Sequence, residues 1–198
     1  MINCIYRYPS QWREIAIDPQ VKTADGQVYD ILFIGTDKVG IFFKIQNSKK
    51  NLFQGQILKI VNTNDKTGEV KSPQQPILIE ELQVLKYGEP ILNIKITRGS
   101  EKSPRSLLVT SNDEIMSLPL QRCHVATTCS ACVALQDPYC GWDLVSSKCV
   151  SQSSFNSEYA SEFLQNISVG RHRQCGDSES SVLIEEFKVR EIFIFVKN

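Results

Sequence analysis

Six cysteines crowd into one stretch of this chain: Cys123, Cys129, Cys132, Cys140, Cys149 and Cys175. A seventh, Cys4, stands alone near the start, and positions 5–122 contain none. Thiols at this density pair as disulfides, ligate zinc or take part in redox exchange. The Cys129-Ser130-Ala131-Cys132 spacing suits a zinc knuckle, with His124 and His172 near it in sequence. Yet no second CxxC or HxxxH pair accompanies it, and a zinc site leaves Cys123 and Cys175 unexplained. A redox CxxC is weaker still, because no βαβ pattern surrounds it. Disulfides are the better reading. Six cysteines allow fifteen pairings, and spacing alone does not choose among them.

Disulfide-dense segments compensate for a core too small to hold itself together, and they persist where the compartment is oxidising. The expected location is extracellular or at the cell surface. Residues 1–20 carry no apolar signal segment, since Arg7, Gln11, Arg13 and Glu14 interrupt every candidate. The chain is therefore expected to be a fragment, or an incomplete gene product, of a longer secreted or membrane-anchored protein. Asn166-Ile167-Ser168 is the single N-glycosylation sequon and suits a secreted, loop-rich module.

Other chemistry finds no support. Twenty-two basic and 22 acidic side chains cancel, so no global field draws nucleic acid or an anionic membrane. Lys49-Lys50 and Arg171-His172-Arg173 are too short for nucleic-acid patches. There is no glycine-rich phosphate loop and no nucleophile elbow. On a strand, the adjacent acids Glu80 and Glu81 face opposite ways, which makes a solvated edge the ordinary reading. No catalytic residue, cofactor or metal is expected.

The elements that must carry these residues read as strands. Residues 13–17, 29–35 (YDILFIG), 40–45 (GIFFKI), 77–85 (ILIEELQVL), 91–97 (ILNIKIT), 106–110 (SLLVT) and 115–120 (IMSLPL) are strand candidates. A weaker one lies at 57–61 (ILKIV). Ala24-Asp25-Gly26 and Asp37-Lys38-Val39-Gly40 are read as turns. Residues 32–44 and 107–118 look like two copies of one unit: an apolar strand, an Asp turn, a second strand. Repetition of this kind suits propeller blades, and a sandwich with repeated hairpins fits the pattern equally well. Residues 178–198 hold the apolar run 192–196, far short of the ~20 residues a membrane span needs. No direct membrane insertion by this chain is expected.

Specific motifs go further. Arg13-Glu14-Ile15-Ala16-Ile17-Asp18, continuing to the DGxxYDxLFIGTD stretch of residues 25–37, resembles the sixth blade of a semaphorin domain. Residues 80–85 and 89–93 resemble the passage into the seventh blade, and Leu118-Pro119-Leu120 before Cys123 resembles that domain's exit. Residues 129–143 (CSACVALQDPYCGWD) strongly resemble the PSI module of semaphorins, and Gln165-Asn166-Ile167-Ser168 with Gly170 and Cys175 resembles its end. The likeness is nearest the membrane-anchored invertebrate-type semaphorins. One departure stands out: the family places Gly two residues after the Asp of the GTD turn, whereas Lys38 and Val39 precede Gly40 here.

The resemblance implies an all-β fold: a partial β-propeller in residues 1–122, about the last two of seven blades, then a PSI module in 123–177 and a divergent tail in 178–198. It implies the bridges Cys123–Cys140, Cys132–Cys149 and Cys129–Cys175, each worth roughly 2–4 kcal/mol. Trp142 and Tyr139 are expected to supply most of the module's apolar core, with Asp137-Pro138 turning the chain between bridges. The resemblance implies a guidance ligand, not an enzyme. In full-length form it would dimerise and bind a plexin receptor, mainly through blades that are absent here, to steer axons and migrating cells. A plexin-type receptor ectodomain and an intracellular zinc-binding adaptor are the alternatives.

Overall fold

A computed structural model of the chain describes residues 10–40, 52–63, 76–87, 89–100, 104–154 and 162–176. Four long strands, β1 (Ser10–Lys22), β2 (Val28–Gly40), β3 (Leu52–Asn62) and β4 (Ile77–Tyr87), form one antiparallel meander in chain order. Three shorter strands, β5 (Asn93–Ile96), β6 (Ser106–Thr110) and β7 (Ile115–Pro119), form a second meander. Four-stranded meanders with short turns are the building unit of propellers. The third sheet is small, with β8 (Cys140–Asp143) between β9 (Lys148–Ser151) and β10 (Phe163–Leu164). One short helix, α1 (Cys129–Ala134), precedes it, capped by Thr128, whose hydroxyl accepts from the Ala131 amide at 3.2 Å.

One sequence expectation fails here. Asp37-Lys38-Val39-Gly40 is not a turn: β2 runs on through it, paired with β3 as far as Gly40 opposite Leu52. Lys38 and Val39 are poor at the positive φ that a tight hairpin demands, so the strand simply continues. Residues 32–40 thus hold no turn like the one within 107–118, where β6 pairs with β7. The proposed strand at 40–45 lies beyond residue 40, outside the described residues. The strand expected at residues 57–61 is present and longer than expected. These residues belong to an 11-residue interior strand, and every residue from 55 to 61 is buried.

Strand alternation sorts the first sheet into two faces. One carries Ile31 and Phe33 of β2 with Ile57, Lys59 and Val61 of β3. These apolar side chains join Ile91, Ile94, Leu107, Val109 and Leu120 in one cluster, together with Ile167 of the cysteine-rich module. Both larger sheets and the module therefore share a core. On the opposite face Ile34, Leu58 and Ile60 form a second cluster, while Ile15 and Ile17 of β1 stay about half exposed (52% each). Gly55 lets the sheets approach: a Cβ there would lie 2.6 Å from Leu85 Cδ1 and 3.0 Å from Ile91 Cγ1.

The module's core is sulfur-rich. Cys123, Cys132, Cys140 and Cys149 pack with Ala126, Val133, Trp142 and Leu164. Trp142 belongs to this cluster and Tyr139 packs against it and the sheet cluster alike, but cysteines, not these two rings, make up half of its buried members. Phe163 lies flat against Gly141, where an added Cβ would fall 2.3 Å from the ring. Gly141→Ala should therefore force β8 and β10 apart and lower unfolding stability by about 1–3 kcal/mol. Urea denaturation followed by Trp142 fluorescence measures that loss.

Candidate functional site

The turn between α1 and β8 faces the first sheet, and Asp137 builds it. The Asp137 carbonyl accepts from the Cys140 amide at 2.9 Å, and its Oδ1 accepts from the Tyr139 amide at 3.0 Å. An Asp that bonds the backbone two residues on fixes a turn without help from regular structure. Its second oxygen, Oδ2, accepts from Lys59 Nζ at 2.5 Å. Both partners are dry, with side-chain exposures of 2% and 5%. The ammonium also lies 4.7 Å from the centroid of the Tyr139 ring and 5.9 Å from that of Phe33. A buried cation needs such partners, since a charge taken out of water unpaired is very costly.

Register explains how Lys59 reaches the turn. Ala16, Phe33, Lys59 and Glu80 form one row across the four strands, all on the module-facing side. Glu80 pairs with Arg122, at the entry to the module. The solvated edge expected for Glu80 is thus corrected: its side chain is only 16% exposed, because an arginine from outside the sheet covers it.

A second anchor lies beside the first. Asp18 sits where the β1–β2 register shifts, and only 4% of its side chain is exposed. Its Oδ2 accepts from the Tyr139 hydroxyl, and its Oδ1 from Arg105 Nη2 at 2.5 Å. Burial, then the hydrogen bond to the Asp18 carboxylate, pushes the Tyr139 phenol far above its ordinary value. The bond to Asp18 likewise raises the Arg105 guanidinium.

Gln165 closes the junction. Its Nε2 donates toward the carbonyls of Asp137, Pro138 and Cys140 at 3.3, 3.0 and 2.9 Å, while its Oε1 accepts from the Ala24 amide at 3.1 Å. One side chain thus ties the turn to the first hairpin of the sheet. The arrangement holds two bodies in a set orientation. It brings no nucleophile and base together.

Three bridges hold the module: Cys123 to Cys140, Cys132 to Cys149 and Cys129 to Cys175. Asn166 lies in the turn after Gln165, its Oδ1 accepting from the Val169 amide at 2.9 Å and from the Ser168 hydroxyl at 3.2 Å. His124 is exposed, and His172 Nδ1 accepts from the Gln174 amide at 3.3 Å. Among the described residues no group of three or more His, Cys, Asp or Glu is placed to hold a metal ion. Sequence reasoning missed Asp18, Lys59, Arg105, Arg122 and the anchoring role of Gln165. The one visible signal was a lysine inside the apolar run ILKIV.

The Tyr139 shift has a signed consequence. The folded chain keeps this phenol protonated, whereas the unfolded chain ionises it near the ordinary value of 10.0. Its contribution is fully present below pH 10 and declines as pH rises beyond it. Thermal melts from pH 8 to 11 should show that decline, and Tyr139→Phe should flatten part of it while costing about 1 kcal/mol at neutral pH.

With this geometry in hand, likeness to known proteins can be placed on it. The family model described as "Sema domain" matches residues 5–98, and that described as "Plexin repeat" matches residues 122–177. Semaphorin-1A of Schistocerca americana is 38% identical over 188 residues, covering 92% of this chain and 22% of that protein. The chain thus spans about a fifth of the length of the curated relatives it matches. The solved extracellular domains 1-2 of Drosophila Semaphorin 1a superpose with a TM-score of 0.64 at 33% identity, covering 86% of this chain and 30% of that one. Drosophila Plexin A in complex with Semaphorin 1b gives a TM-score of 0.61 at 28% identity, covering 81% and 28%. The two meanders are a partial β-propeller and the bridged knob a PSI module; this chain belongs to the semaphorin family.

Proposed function

We propose that this chain belongs to an extracellular guidance ligand that, in full-length form, binds a plexin receptor and steers axons and migrating cells. The observation that carries this reading is identity to Semaphorin-1A over nearly the whole chain. Likeness to a complex of Plexin A with Semaphorin 1b supports a plexin as the partner class. The receptor alternative is less favoured, since Semaphorin-1A from three organisms aligns over 79–92% of this chain, spanning both of its parts. The role is that of a signalling ligand, not an enzyme, and the parent protein acts as a homodimer.

We divide the chain into a propeller part at 1–122, a PSI module at 123–177 and a divergent tail at 178–198. The dry junction supports a mechanical role for the module: it fixes the direction in which whatever follows it leaves the propeller. Plexin contact falls to other propeller blades of the parent protein. No helix among the described residues is long and apolar enough to cross a membrane, and we assign no membrane insertion to this part.

Asn166 is proposed to carry an N-linked glycan. Its turn is partly exposed, and its amide nitrogen makes no hydrogen bond among the described residues. Glycosidase treatment of chain secreted from animal cells should sharpen and speed its band, and Asn166→Gln should abolish that shift. For the partner, immobilised plexin ectodomains should capture the full-length parent and leave residues 1–198 unbound. Absence of binding by the parent to every plexin of its organism would overturn the ligand reading. Capture of residues 1–198 alone would overturn the assignment of plexin contact to other blades.

A further inference from the structure

Among the described residues, Lys59 heads the fully buried side chains by volume. Strand interiors seldom take a lysine, because its ammonium must be neutralised where no water reaches. The sheet that buries it does not neutralise it. Its row neighbours are Ala16, Phe33 and Glu80, and the Glu80 carboxylate is engaged by Arg122. The counter-ion is Asp137, 78 residues further along and held in the turn between two bridged cysteines, Cys132 and Cys140.

We propose that Lys59 makes closure of the β1–β4 sheet conditional on the docked PSI module. The strand can bury its ammonium only when the disulfide-braced turn delivers Asp137, so the module folds first and the sheet second. The order runs against synthesis, in which β3 leaves the ribosome well before Asp137. Until the module is oxidised, β3 carries an unpaired cation on the face that must become core. The device acts as an internal checkpoint: a chain whose bridges are missing or wrong lacks the carboxylate in place and leaves its propeller strands open. This inference rests on the Lys59–Asp137 geometry and not on receptor binding, so it stands or falls independently of the ligand reading.

Hydrogen exchange of the secreted 198-residue chain, read by mass spectrometry on peptides covering β3 and β8–β9, tests it. Asp137→Asn should lower β3 protection by about a hundredfold while the β8–β9 peptides stay protected, since it strands the Lys59 ammonium in the sheet. Lys59→Met, which frees the sheet of that ammonium and strands the Asp137 carboxylate in the module, should leave β3 protected. The double variant should regain most of the protection, because removing both charges together removes the penalty. During refolding with the bridges intact, pulsed exchange should protect β8 and β9 before β3. Where a single variant is not secreted, recovery of secretion by the double variant is the same rescue. The proposal is overturned by unchanged β3 protection in Asp137→Asn, which re-pairing of Lys59 with Glu80 would produce. It is equally overturned by a double variant no better than Asp137→Asn, by Lys59→Met opening β3 as much as Asp137→Asn does, or by β3 closing before the module.

Discussion

An ammonium group in the middle of an apolar sheet face is a demand that only a fixed carboxylate can meet. The structure meets it from outside the sheet. Asp137 is held by its own backbone bonds to Tyr139 and Cys140, and Cys140 is held in turn by its bridge to Cys123. Rigidity passes along covalent bonds to a turn, from the turn to an ion pair, and from the ion pair to the sheet. Because breaking such a dry pair costs roughly 3–5 kcal/mol, sheet and module behave as one body and not as beads on a linker.

The shared hydrophobic cluster agrees with this. Ile167, from the far end of the module, belongs to the same buried cluster as residues of β2, β3, β5 and β6. The direction of the module is thus specified twice, by apolar packing and by polar contacts of fixed geometry.

Much of this was legible beforehand, and what was not has identifiable causes. The strand cores at 29–35, 77–85, 106–110 and 115–120 announce themselves by β-branched and apolar runs. The cysteine cluster and the CGWD segment mark the module. The misreadings share one root: polar residues were taken to mean a turn or water. The polar surroundings of 57–61 made β3 look weak, and Asp37 and Gly40 made the end of β2 look like a turn. Glu80 looked like an edge. Each charge was judged against its neighbours in sequence, whereas Lys59 and Glu80 are satisfied by Asp137 and Arg122, remote along the chain. Periodicity records which way a side chain points, not what waits for it there.

The two anchors differ in one respect that sets how the surroundings act on them. Arg105 keeps nearly half its side chain in solvent (47%), while Lys59 keeps almost none (2%). Dissolved ions weaken attractions they can surround, over a screening length of about 8 Å at physiological ionic strength, and do little to pairs sealed in protein. Brine would slacken the rim at Arg105 and spare the centre at Lys59, giving the joint a salt-tuned fringe around a salt-blind pivot.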